Sequence, residues 1–290
     1  MTLPPTWAER IAALGRGELT PPVPRPAATV VLLRETPTGA TEAYLLRRRA
    51  SMAFAGGMYA FPGGGVDPRD GTADIGWAGP GAEEWAVRLG CPPEAARAVV
   101  CAAVRETFEE SGVLLAGPDG ASVVADVSGG RWRADRAALE AHELSFAEFL
   151  TRRGLVLRSD LLGGWARWIT PEFEERRYDT WFFVAAVPEG QRTAEVPGEA
   201  DRVEWLAPAE AVARAEAGKY LMLPPTVTTL RELSGHDSAG ALAAAAGRSL
   251  APVMARASVD AAGRVSVSWD GHPELTLGGA LGSAAGGTAE

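Results

Sequence analysis

Apolar residues recur along the chain in short runs that are typical of strands buried in a sheet. Ala28–Leu33 reads ATVVLL and Thr180–Val187 reads TWFFVAAV, so both segments are apolar at nearly every position. Such a run, rich in β-branched and aromatic residues, is typical of a strand that is covered on both faces. The other predicted strands are Glu42–Arg47, Trp165–Ile169 and Arg202–Leu206.

Helical patterns lie between these runs, and the longest extends from Pro93 to Ser111. Pro93 suits a first turn, Glu94 is favoured at the positive helix end, and Gly112 is a natural stop. The stretch EAARAVVCAAV is dense in small apolar residues, which indicates close packing on a sheet. Further helices are predicted over Ala82–Leu89, around Arg136–Arg153, over Pro208–Glu216 and over Pro224–Leu233.

Changes of composition divide the chain into three parts. Residues 1–26 form an N-terminal arm with a short amphipathic segment and a proline-rich stretch, and residues 27–235 form the main domain. Residues 236–290 form a C-terminal extension that is alanine-rich at first. Within it, a hairpin is predicted over 257–269, followed by a disordered Gly/Ala tail.

Composition and charge exclude several classes of protein. The 290 residues carry 28 Lys+Arg against 37 Asp+Glu, a net charge of -9, which argues against a general nucleic-acid binder. Two cysteines, Cys91 and Cys101, cannot build a disulfide framework or a four-thiolate zinc site. No apolar run approaches a membrane span, and the N-terminus lacks a signal-peptide layout. We therefore expect a cytoplasmic protein without a membrane partner, for which a homodimer stays open.

A cluster of carboxylates stands out near the end of the long helix. The segment Arg105–Val113 reads RETFEESGV, and Glu106, Glu109 and Glu110 fall within roughly a 100° arc of one helix face. Three carboxylates on one stripe repel each other, and a hard divalent cation such as Mg²⁺ or Mn²⁺ would relieve that repulsion. Arg105 lies four residues before Glu109 and can brace the cluster. The alternative is a solvated acidic face with ordinary ion pairs.

The order FPGGG followed by RETFEESGV resembles the box of the Nudix hydrolase family, G-x5-E-x7-R-E-U-x-E-E-x-G-U, in which U is aliphatic. Gly64 matches the first glycine, and Asp70 stands where the first glutamate is expected. The second half matches over Arg105–Val113, with Thr107 in place of one aliphatic residue. Residues 71–104 replace the seven-residue spacer, which makes the box about 27 residues too long.

An enlarged box is a feature of the coenzyme A diphosphatase-like branch of that family. The segments LLRRRASMAFAGGMYAFPGG, RWITPEFEERRYDTWFFVAAVP, VEWLAPAEA and LPPT also resemble this branch, so that the resemblance spans roughly residues 27–233. It implies an α/β fold, namely a Nudix α/β/α sandwich with a mixed β-sheet. The insertion then lies inside the Nudix box, and a small C-terminal extension follows the domain.

The resemblance also implies roles for the residues of the box. Glu109 and Glu110 become the core metal ligands, and Glu106 a ligand or the general base. Arg105 belongs to the catalytic set as a bracing residue, and Asp70 braces as well. Family membership implies hydrolysis of a nucleoside diphosphate linked to another moiety, with Mg²⁺ or Mn²⁺ neutralising the diphosphate charge.

Main-chain groups of the glycine loop are expected to join this site. The segment 63–65 carries no side chains, so its backbone can approach the phosphates or the metal. We assign Gly64 to the metal, and Gly63 and Gly65 to the substrate.

Residues distant from the box complete the expected site. Many Nudix enzymes place a further carboxylate about six residues before a strand tryptophan, and Glu199 has that spacing to Trp205. Arg49 and Arg177 are candidates for phosphate contact, because guanidinium forks match phosphate oxygens. For each of these residues the alternative is an ordinary surface charge. Competitors for the carboxylate are Glu172, Glu174 and Glu175.

The favoured substrate is coenzyme A or acyl-CoA, which would yield 3',5'-ADP and (acyl-)4'-phosphopantetheine. The bacterial coenzyme A motif LLTxR[SA]x3Rx3Gx3FPGG is only half met: Leu45, Leu46 and FPGG agree, whereas the second arginine does not. ADP-ribose, NADH or another nucleoside diphosphate derivative is therefore an alternative substrate. A Nudix fold used as a non-catalytic ligand sensor is an alternative of another class, against which the intact glutamate set argues.

Overall fold

A computed structural model describes residues 7–51, 55–72, 75–194, 200–260, 264–269 and 275–277. The chain forms two compact units. The larger comprises Pro26–Ala166 and Thr180–Ala251, and the smaller comprises Met1–Arg25, Arg167–Asp179 and Pro252–Glu290. This division differs from the predicted three parts, because residues 167–179 join the smaller unit and residues 236–251 join the larger.

Groups of strands and groups of helices follow one another along the chain. The helices are α1 (Trp7–Gly15), α2 (Pro68–Thr72), α3 (Ala82–Leu89), α4 (Pro93–Ser111), α5 (Gly130–Glu140), α6 (Phe146–Arg153), α7 (Pro208–Glu216), α8 (Pro224–Leu233) and α9 (Ser238–Ala245). The strands are β1 (Arg25–Glu35), β2 (Thr41–Arg48), β3 (Tyr59–Ala60), β4 (Gly63–Gly65), β5 (Trp77–Ala78), β6 (Ala116–Gly117), β7 (Val156–Arg158), β8 (Gly163–Ile169), β9 (Tyr178–Ala186), β10 (Ala200–Leu206), β11 (Pro252–Met254), β12 (Arg256–Val259), β13 (Val265–Ser268) and β14 (Leu275–Leu277).

The main sheet of the larger unit has the order β10-β2-β1-β9-β8, with β3 beside β2 and β4 beside β1. β1 lies at its centre and is buried on both faces, as its apolar run predicts. Val30 and Leu32 belong to the core that includes α4, whereas Val31 and Leu33 point to the opposite face and are at most 1% exposed. The antiparallel register of β4 on β1 places the glycine segment along the middle of the sheet.

Helix α4 contributes a continuous set of side chains to the core beneath the sheet. Val100, Val104 and Phe108 are at most 1% exposed, and burial of each such side chain contributes on the order of 2 kcal/mol. Phe108 stacks on Phe149 of α6 with a centroid separation of 5.2 Å. The predicted helix over 93–111 is confirmed, including both ends.

The segment that follows α4 differs from its prediction in one respect. The main chain of Leu114 is bonded on both sides by the Gln191 amide, at 2.8 and 2.9 Å, and β6 begins only at Ala116. The predicted helix over 136–153 is two helices, α5 and α6. His142 adopts a left-handed backbone with φ 57° between them, and Ser145 caps α6 through a reciprocal pair with Glu148.

The smaller unit contains α1, whose Trp7 ring packs edge-on against Phe173 at 5.1 Å. Its residues Arg167–Ile169 pair in parallel with β11. The predicted hairpin is confirmed by the antiparallel pairing of β12 with β13, whereas the predicted disordered tail over 278–290 lies outside the described residues. Over the described part of the chain, the helices are all too short or too polar to cross a membrane.

Candidate active site

The glutamate stripe occupies the last two turns of α4. Gly112 ends the helix in the left-handed region, with φ 75°, and its N–H donates to the Phe108 carbonyl at 2.9 Å. Glu109 and Glu110 are each only 7% exposed, and the side chain of Glu106 is 13% exposed. This burial excludes a solvated acidic helix face.

Arg105 connects α4 to the segment that precedes the box insertion. Its Nε lies 3.1 Å from Asp70 Oδ1, and its Nη2 donates to Asp70 Oδ2 at 3.0 Å and to the Gly65 carbonyl at 2.9 Å. Its Nη1 donates to Glu106 Oε1 at 2.8 Å and lies 3.3 Å from Glu109 Oε1. The guanidinium can bond to three carboxylates at once because it is planar and has five N–H donors.

The glycine segment lies directly against two of the glutamates. The Gly63 N–H donates to Glu110 Oε2 at 2.7 Å. A Cβ added at Gly64 would lie 2.5 to 2.7 Å from the Glu106 carboxylate, and one at Gly63 would lie 2.4 Å from the Ala28 carbonyl oxygen. At these two positions any side chain would collide with the carboxylate or the sheet, so the requirement for glycine is steric.

The buried cluster carries more negative than positive charge. Asp70, Glu106 and Glu109 share the single charge of Arg105. Burial raises the pKa of Glu106 to about 7, against the opposing attraction of Arg105, and burial likewise raises the pKa of Glu109. The pKa of Arg105 is raised, because the attraction of Glu106 and its other carboxylates outweighs the burial that lowers it.

The donor chemistry fits a hard divalent cation. Carboxylate and main-chain oxygens are the ligands that Mg²⁺ and Mn²⁺ prefer, and the negative excess favours a cation. Among the described residues, however, no three His, Cys, Asp or Glu side chains already converge as a metal site. The three glutamates do not converge because Glu106 and Glu109 are bonded to Arg105, whereas Glu110 accepts from the Gly63 N–H. Metal ligation by these glutamates stays a prediction.

Sequence reasoning missed a charged pair on α5. Arg136 is 7% exposed, its Nε lies 3.3 Å from Glu140 Oε1, and its Nη1 lies 2.9 Å from where a Gly112 Cβ would be. It therefore sits at the carboxyl end of α4, where the helix dipole favours positive charge. The buried Tyr44 hydroxyl also belongs to this region, since burial and the nearby Glu110 charge raise its pKa. The i,i+4 spacing of the pair is visible in the sequence, but its location is not.

The predicted arginines have main-chain partners. Arg49 Nε lies 3.5 Å from the Ala200 carbonyl oxygen in the larger unit. Arg177, in the smaller unit, donates to the carbonyls of Thr170 at 3.0 Å and Pro22 at 2.9 Å and is 8% exposed. Their assignment to substrate phosphate stays a prediction.

The distant carboxylate also stays a prediction. Glu199 lies outside the described residues. Among its competitors in the smaller unit, Glu175 is exposed and pairs with Arg10 at 3.3 Å, whereas burial raises the pKa of Glu174. Glu172 is the third competitor.

Exchange of Gly64 for alanine tests the steric requirement, with Gly65 as a matched control. A Cβ at Gly64 would displace the terminal carboxylate of Glu106, whereas a Cβ at Gly65 would meet no atom within 4 Å. We expect Gly64→Ala to lower turnover about 10- to 100-fold while changing the free energy of unfolding by less than about 1 kcal/mol. Steady-state kinetics and urea unfolding measure the two effects. Equal activity of Gly64→Ala and Gly65→Ala would contradict the close approach of the Gly64 backbone to the Glu106 carboxylate.

A solved structure with the same arrangement of elements defines the class of fold. The crystal structure of a NUDIX hydrolase from Alicyclobacillus acidocaldarius matches with a TM-score of 0.64 and 25% sequence identity, covering 79% of this chain and 99% of that one. The predicted α/β Nudix fold is confirmed. The profile of the NUDT19 Nudix domain matches residues 82–233. The chain therefore belongs to the Nudix family, as a domain of the NUDT19 type.

Two further relatives have matching sequences. The nudix hydrolase 7 protein of Caenorhabditis elegans is 30% identical over 210 residues, which cover 72% of this chain and 60% of that protein. The acyl-coenzyme A diphosphatase NUDT19 of Gallus gallus is 26% identical over 239 residues, which cover 68% of this chain and 62% of that protein. The chain thus spans about three fifths of the length of these relatives.

Proposed function

We propose that the protein is a diphosphatase that hydrolyses coenzyme A or acyl-CoA to 3',5'-ADP and (acyl-)4'-phosphopantetheine. The observation that carries this proposal is the buried glutamate face of α4 pressed against the side-chain-free strand Gly63–Gly65. The names of the NUDT19 relatives support the substrate class.

A Mg²⁺ or Mn²⁺ ion would be held by Glu106, Glu109, Glu110 and the main-chain oxygen of Gly64. When bound, the ion would neutralise charge on the diphosphate and lower the pKa of an attacking water. The identity of the metal and its ligand set belong to the proposal.

The chain's own residues position the reacting groups. Arg105 anchors Glu106 and Glu109 through Nη1 and is itself held by Asp70, so these carboxylates keep a defined orientation. The Gly63 N–H fixes one oxygen of Glu110. One glutamate of this cluster accepts the proton of the attacking water, and the narrow backbone of Gly64 leaves room for the diphosphate.

A substrate panel tests the proposal. Purified protein with Mg²⁺ or Mn²⁺ is expected to release phosphopantetheine from coenzyme A, and chelation with EDTA is expected to abolish the release. Cleavage of ADP-ribose or NADH alone would contradict the proposed substrate while retaining diphosphate hydrolysis. Tight binding without turnover of any diphosphate in the panel would favour a ligand sensor.

A further inference from the structure

A cavity of about 540 Å³ opens between β10 and α7, in the larger unit but on residues outside the Nudix box. Arg202, Arg214 and Lys219 line it together with Glu210 and the edge of Tyr220. Three cations therefore line the cavity, against Glu210 among its lining residues and Glu204 beside it. Lys219 is also the only lysine of the whole chain.

A second carboxylate, Glu204, pairs with two of the cations that line the cavity. The hydroxyls of Tyr59 and Tyr220 each donate to Glu204 at 2.7 Å, one to each oxygen, and Arg202 Nε lies 2.8 Å from the same carboxylate. Although burial opposes it, these tyrosine hydrogen bonds lower the pKa of Glu204. Glu204 thus anchors the wall of the cavity: the two tyrosines hold its oxygens, and Arg202 and Arg214 both pair with it. With Glu210 also counted, the three cations exceed the two carboxylates by one positive charge.

The carboxylate of Glu210, the acid that lines the cavity, is only weakly held by Arg214. Arg214 Nη2 pairs with Glu210 at 2.5 Å, but the Glu210 side chain is 51% exposed. Exposed pairs of this kind contribute little free energy, because solvent screens them and both side chains lose freedom. A dianion entering the cavity would exchange this weak contact for charge-assisted hydrogen bonds from arginine and lysine.

We propose that this cavity binds a phosphate dianion, and that its physiological source is the phosphomonoester of the substrate. Coenzyme A carries such a group on the ribose, separate from the diphosphate that is cleaved. This assignment rests on the proposed diphosphatase function and names the part of the molecule that would distinguish coenzyme A from ADP-ribose and NADH.

Tyr59 connects the cavity to the glycine strand, because it contacts the cavity residue Tyr220 and lies just before that strand in sequence. The Tyr59 and Tyr220 rings are stacked, with centroids 4.0 Å apart and planes at 13°, and the Tyr59 N–H donates to the Leu221 carbonyl at 2.8 Å. Tyr59 precedes Gly63 by four residues, so at ~3.3 Å per residue the two lie within about 13 Å. One extended ligand could therefore occupy the cavity and the glycine strand together.

The kinetic test compares coenzyme A with dephospho-coenzyme A, which lacks the phosphomonoester. Wild-type protein is expected to show a kcat/KM for coenzyme A that is about 10- to 100-fold higher, since two or three charge-assisted contacts are lost without the group. The double variant Arg202→Ala/Lys219→Met is expected to bring this ratio close to one. Arg264→Ala, which removes an exposed arginine paired with Asp260 in the smaller unit, should leave the ratio unchanged. Equal wild-type values for both substrates would overturn the assignment.

The unique lysine provides a second test that needs neither turnover nor a variant. Trinitrobenzenesulfonate modifies Lys219, and peptide mass spectrometry measures the rate with and without 3'-AMP, coenzyme A, dephospho-coenzyme A or inorganic phosphate. We expect protection by 3'-AMP and coenzyme A at lower concentrations than by dephospho-coenzyme A. Protection by inorganic phosphate but not by coenzyme A would overturn the substrate assignment in favour of free phosphate. Absence of protection by all four would overturn the phosphate site itself, even if coenzyme A is cleaved.

Discussion

Replacing Glu110 with glutamine is expected to lower the turnover of coenzyme A by about a thousandfold or more, which corresponds to roughly 4 kcal/mol of transition-state stabilisation. Glutamine is isosteric, and its amide oxygen can still accept the hydrogen bond from the Gly63 N–H. The variant therefore removes a negative charge with little disturbance of the packing at the end of α4. The loss isolates the contribution of the charge to metal binding or proton transfer.

Thermal unfolding with and without Mg²⁺ separates this effect from misfolding. A ligand that binds the native state raises its stability by about 2.7 kcal/mol at a hundredfold excess over Kd, so Mg²⁺ should raise the Tm of the wild type more than that of Glu110→Gln. Glu94→Gln is the matched control, because Glu94 is an exposed carboxylate in the first turn of the same helix. Wild-type turnover by Glu110→Gln would exclude Glu110 from the metal or proton-transfer role.

Replacing Arg105 with methionine is expected to destabilise the fold by about 3–5 kcal/mol, and on the order of 10 °C in Tm. The side chain is 6% exposed and is the shared partner of Asp70, Glu106 and Glu109. Its removal leaves buried carboxylates without their counter-charge, and methionine restores only the packing volume. Arg105→Lys should recover part of the loss, because lysine keeps the charge but not the planar fork.

Urea unfolding of single and double variants measures this coupling. Asp70→Asn in the Arg105→Met background should cost clearly less than Asp70→Asn in the wild type, since the carboxylate has already lost the counter-charge of Arg105. Arg231→Met is the control for an exposed pair, here with Glu216 at 2.8 Å, and should change stability by less than about 1 kcal/mol. Strict additivity of the Arg105 and Asp70 effects would contradict the buried network.

Local signals predicted α4 and β1 well, because each depends on residues close together in the chain. Proline in the first turn and glycine after the last define the helix from Pro93 to Ser111, and tertiary contacts did not override them. The break between α5 and α6 also had a local signal in the Ser145–Glu148 capping box, which the helical interpretation of 136–153 overlooked. The bonding of the Leu114 main chain by the Gln191 amide had no local signal, because the two residues lie 77 positions apart.

By itself, the sequence determined which carboxylates share one face of α4, since helical geometry relates positions three and four residues apart. The sequence also contains the glycine segment followed by the RETFEESGV motif, and this order indicated the Nudix family. Only the tertiary structure decided that this face is buried and that Arg105 forms ion pairs with three carboxylates. It also decided that a Cβ at Gly64 would collide with the Glu106 carboxylate. The same holds for the cavity, which Lys219 lines together with Arg202. Desolvation and charge pairing depend on elements distant along the chain, and folding alone brings those elements together.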